Sequence, residues 1–135
     1  MQTRVVIRFE DFDGIGVYSS SKCRFIHAKT NPTFHPDPYS DQMLRYRIDK
    51  WEDTMREWYF AFMDKQQALN WFYVDEWLVE LDKCGIVVSE YTCLSDDVVL
   101  GSHQAIFRSH ESKQTFNLLE YFDVKLDSCD FRDYY

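Results

Sequence analysis

Hydrophobic and polar positions alternate from Arg4 to Phe12. Val5, Ile7 and Phe9 fall on one side and Val6, Arg8 and Glu10 on the other. A period of two predicts a strand. Asp13-Gly14 follows, then Ile15-Gly16-Val17-Tyr18. An apolar run, Asp-Gly and a second apolar run predict a hairpin with a type I′ turn, which needs positive φ at both central residues. A calcium loop does not fit the same acids, because its first and twelfth ligand positions would be Phe9 and Ser20. Residues 19–39 read as a long loop stiffened by Asn31-Pro32 and His35-Pro36-Asp37-Pro38. Ser40 then suits an N-cap, and Leu44, Ile48, Trp51 and Met55 recur at the spacing of an amphipathic helix.

Glu57 to Phe62 is short, apolar and aromatic, and predicts a central strand buried on both faces. Asp64 is placed to cap a following helix, which bends near Tyr73 and restarts at Asp75. Val74, Trp77, Leu78, Leu81 and Cys84 form its apolar stripe, while Glu76, Glu80 and Lys83 face water. Gly85 stands where a C-terminal cap belongs. Ile86 to Cys93 predicts a strand, Ser95-Asp96-Asp97 a turn, and Val98 to Leu100 and Gln104 to Arg108 two further strands. Phe116 to Phe122 fits either strand or helix. The expectation is one α+β domain over residues 1–122, a mixed or antiparallel sheet with two to three helices packed against it, followed by an acidic, aromatic tail over 123–135.

Composition adds the sign of the partner. The chain has 135 residues, 45% hydrophobic and 18% aromatic, enough to build a core. Its net charge of −8 is uneven: residues 1–50 hold eight Lys/Arg against six Asp/Glu, and residues 51–135 hold seven against seventeen. A negative field repels phosphate backbones, so direct nucleic-acid binding by the C-terminal part is disfavoured. It suits a host protein with a basic surface, such as a nucleic-acid channel, with Asp75, Glu76, Glu80, Asp123, Asp127 and Asp130 as contact candidates. The plainer alternative is a solvated acidic face that maintains solubility. The opening residues lack the apolar run of a signal peptide, and no stretch is apolar enough to span a bilayer, so a cytoplasmic protein without membrane contact is expected. Cys23, Cys84, Cys93 and Cys129 are scattered and expected to be reduced. Cys84 and Cys93 with His103 and His110 match no zinc spacing, so neither metal nor cofactor is expected.

No catalytic constellation emerges from spacing. Gly14-Ile15-Gly16 lacks the third glycine and the following helix of a dinucleotide fingerprint. Asp96-Asp97 belongs to a turn, and His103 beside Gln104 reads as a turn histidine. Arg8 differs. Buried, an arginine in an apolar strand must find an anion or a carbonyl; on an exposed edge it is an ordinary surface cation.

Arg8-Phe9-Glu10, Gly14-Ile15-Gly16-Val17-Tyr18, His35-Pro36-Asp37-Pro38, Phe60-Ala61-Phe62 and Gln67-Ala68-Leu69-Asn70-Trp71-Phe72 occur in that order. Leu81, Gly85-Ile86, Tyr91, Gly101 and Gln104-Ala105-Ile106-Phe107 follow. Over residues 4–108 the pattern resembles small accessory proteins encoded by tailed bacteriophages. The resemblance implies a viral protein acting in the host cytoplasm, and the acidic surface suggests host takeover or anti-defence inhibition by mimicry of nucleic acid. The order of parts is also similar to ADP-ribosyltransferase-like folds, with Arg8, Tyr59 to Asp64 and Gln104 at the matching positions. There a late glutamate would stabilise the cationic transition state. Neutral Gln104, with Ser102 two residues earlier, departs from that pattern; the similarity implies an ADP-ribosyltransferase-like nucleotide-binding protein or a degenerate enzyme of that kind, with Arg8 and Gln104 binding an NAD-like nucleotide. A virion or assembly component is the third reading.

Overall fold

The computed structural model describes residues 2–17 and 58–125. The loop predicted for 19–39 and the helix predicted after Ser40 lie outside the described residues. The first strand, β1, runs Thr3–Glu10, and its alternation divides the molecule. Ile7 and Phe9 point into a core shared with Phe62, Phe72, Leu78 and Leu81. Val6 points into a second core with Ala61, Tyr91, Cys93 and Phe107.

Strand β2 (Tyr59–Ala61) leads into two short helices, α1 (Lys65–Trp71) and α2 (Asp75–Lys83). Asp64 caps α1 as the sequence predicts, its carboxylate accepting from the Gln67 N–H at 2.8 Å. Strand β3 (Val87–Leu94) is followed by a 3-10 turn at Ser95–Asp97, β4 (Val98–Leu100), β5 (Ala105–Phe107), β6 (Ser112–Phe116) and the helix α3 (Leu118–Tyr121). Two three-stranded antiparallel sheets result, in the orders β1-β3-β6 and β2-β5-β4. They are stitched together by reciprocal Ile7–Phe62 backbone hydrogen bonds of 2.8 and 2.7 Å. The helices pack on one face of the first sheet and the second sheet on its other face. This is the expected α+β domain, with both sheets antiparallel.

Three local expectations change. The hairpin turn is not type I′, because Asp13 does not have positive φ and only Gly14 does, at +82°. The Asp11 carboxylate organises the turn instead, accepting from the N–H groups of Asp13 at 2.9 Å and Ile15 at 3.0 Å. Gly14 takes the left-handed position of a three-residue loop, and the return strand shrinks to one bridge, Glu10–Gly16. Second, β2 is not central or buried on both faces. It ends its sheet, and Tyr59 is 51% exposed. Its apolar run covers neighbouring rings, Tyr59 against Phe107 and Phe60 against Trp71. Third, the ambiguous 116–122 segment divides. Phe116 ends β6, and Asn117 caps α3 by accepting from the Glu120 N–H at 3.0 Å.

The predicted C-cap at Gly85 is a Schellman motif. Gly85 has φ +86°, its N–H reaches the Asp82 carbonyl, and the Ile86 N–H reaches the Leu81 carbonyl, both at 3.0 Å. A Cβ there would meet no atom within 4 Å, so only backbone strain opposes a side chain. Gly85→Ala is therefore expected to destabilise the fold by about 1 kcal/mol, measured as a lowered urea midpoint with unchanged slope.

Candidate functional site

Antiparallel pairing puts directly opposed residues on the same side of a sheet. Arg8 faces Ser89, which faces Thr115; Tyr91 faces Lys113. Together with Glu10, these side chains form a polar cluster on the face of the first sheet that looks toward the second. Glu10 is its centre and is fully buried. Its Oε1 accepts from Arg8 Nε at 3.0 Å and from the Tyr91 hydroxyl at 2.6 Å. Its Oε2 accepts from Ser89 Oγ at 2.9 Å and pairs with the Lys113 ammonium. Ser89 Oγ also meets Thr115 Oγ1 at 3.2 Å.

Arg8 takes the buried alternative and finds both partners that burial demands. Besides Glu10, its Nη1 donates to the Phe60 carbonyl at 2.8 Å and its Nη2 to the Gly14 carbonyl at 3.4 Å. The Tyr59 ring lies 5.3 Å from the guanidinium carbon. Gly16 leaves room for this approach, since a Cβ there would stand 2.9 Å from Arg8 Nη2 and the guanidinium would have to shift. The guanidinium thus ties together β1, the hairpin turn and β2.

The electrostatics describe a clamp held in its resting charge state. Burial pushes the Glu10 carboxyl up, but hydrogen bonds from Lys113, Tyr91 and Ser89 outweigh it and hold it below the ordinary carboxylate value. The Glu10 hydrogen bond raises Lys113 against its own desolvation. Burial, then the Glu10 hydrogen bond, raises Tyr91. Carboxylate, ammonium and phenol all move away from neutrality, the opposite of what general acid–base chemistry requires. Cys93, buried near Asp97 and Glu111, is pushed up to about 11 and remains a thiol.

The other predicted residues occupy different places. Gln104 is fully buried just before β5, and its carbonyl accepts from the Gly101 N–H at 2.8 Å. The groups that hold Arg8 are Glu10, Phe60, Gly14 and Tyr59. Asp75, Glu76 and Glu80 are exposed along α2, and Asp123 is exposed directly after α3 with φ +54°. The two helices pack together, so these four carboxylates belong to one helical layer. Lys83 offsets part of that charge through a 3.6 Å exposed pair with Glu80. Asp127 and Asp130 lie outside the described residues. Among the described residues no helix is long and apolar enough to cross a membrane.

Sequence reasoning missed Ser89, Tyr91, Lys113 and Thr115 as members of the cluster around Glu10. Two lie on a predicted strand, but Lys113 and Thr115 belong to β6, whose first four residues are polar and exposed and carry no apolar alternation. The available signal was Glu10, a second charge two residues from Arg8 on the same face of β1.

No curated protein and no solved structure matches the chain. A family model does match, over residues 1–119, further at both ends than the resemblance read from sequence. That span contains β1 to β6 and the whole Arg8–Glu10 cluster, and the chain belongs to the family described as Bacteriophage T4 Y00F protein.

Proposed function

We propose that this phage protein is an accessory factor that binds a host protein in the host cytoplasm and modulates it, through the acidic surface of its helical layer. The observation that carries the reading is the outward display of Asp75, Glu76, Glu80 and Asp123 on packed neighbouring elements. The Arg8–Glu10 cluster, on the opposite face of the first sheet from the helices, acts as a scaffold behind that layer. A surface of this sign steers toward basic partners and accelerates encounter, and its effect is screened by salt. A protein surface that normally receives nucleic acid has the matching charge, which makes inhibition by mimicry the natural consequence of binding.

The test is an affinity pull-down of the tagged protein from bacterial lysate, read by mass spectrometry at low and moderate salt. One stoichiometric partner is expected, weakening as salt rises and lost in the triple variant Asp75→Lys, Glu76→Lys, Glu80→Lys. Retention of that partner by the triple variant would overturn the proposed surface. Recovery of no stoichiometric partner would overturn the proposed mode of action.

A further inference from the structure

We draw no further inference here: the strongest candidate, the apolar tip that Phe12 and Ile15 expose on the hairpin turn, carries nothing, because nothing in the structure shows what covers it.

Discussion

Replacing Glu10 by alanine is expected to destabilise the protein by about 3–5 kcal/mol, as removal of one member of a buried charge pair does. The loss comes less from the contacts themselves than from what stays behind. Arg8 remains buried without its anion, the Tyr91 and Ser89 hydroxyls lose their acceptor, and Lys113 is left beside them. Lys113→Met should cost clearly less, because its side chain is 33% exposed and water can replace it. The comparison with Glu10→Gln also carries a pH signature. The folded-state pKa of Glu10 is depressed, so its stabilisation is complete above the unfolded-chain carboxyl pKa and is lost as pH falls through the folded value. The stability gap between the natural chain and Glu10→Gln should therefore narrow on acidification. Urea unfolding at neutral and acidic pH measures both effects. A gap that widens toward low pH would mean that the carboxylate is not what the four donors stabilise.

The second large effect is expected at Phe62. Phe62→Ala should cost about 3–5 kcal/mol, the range for emptying a fully buried aromatic site. Its ring lies 5.0 Å from Phe60, 5.7 Å from Trp71, 5.8 Å from Phe9 and 5.9 Å from Phe72. All four of these contacts are edge-on, a geometry in which each ring adds more than its buried area. Phe62 also supplies the backbone bridge to Ile7 that joins the sheets, so collapse around the cavity is restricted. A thermal melt should show a midpoint lowered by more than 10 °C, given a few degrees per kcal/mol in a domain of this size. Phe12→Ala, at a ring 80% exposed on the hairpin turn, should leave the midpoint nearly unchanged and serves as the control. Equal effects at the two sites would place the core elsewhere.

The helical half was the most legible part of the sequence. Asp64 before a 3.6-residue apolar period and Gly85 after it define α1 and α2, because capping and amphipathicity are local. The alternation of β1 was equally clear, since one residue of offset moves every side chain to the other face. Turn chemistry was less so. Asp-Gly pointed to a type I′ turn, but the Asp11 carboxylate, two residues upstream, satisfied the backbone in a different loop. Strand β6 was invisible because an exposed edge strand needs no hydrophobic pattern, and its pairing with β3 supplies the order that its own composition does not.

The sequence by itself determined the α+β class, the ends of α1 and α2, the face that β1 turns to each side, and the acidic balance of the C-terminal part. It also posed the problem of Arg8 without solving it. Only the tertiary structure decided that Arg8 is buried, that Glu10 is its counter-ion and the centre of four donors, and that Lys113 leaves its strand edge to join them. Local propensities act over a few residues, whereas this cluster joins positions 8, 10, 89, 91 and 113. Their meeting is set by which strands pair, and strand pairing is fixed by burial of both cores at once.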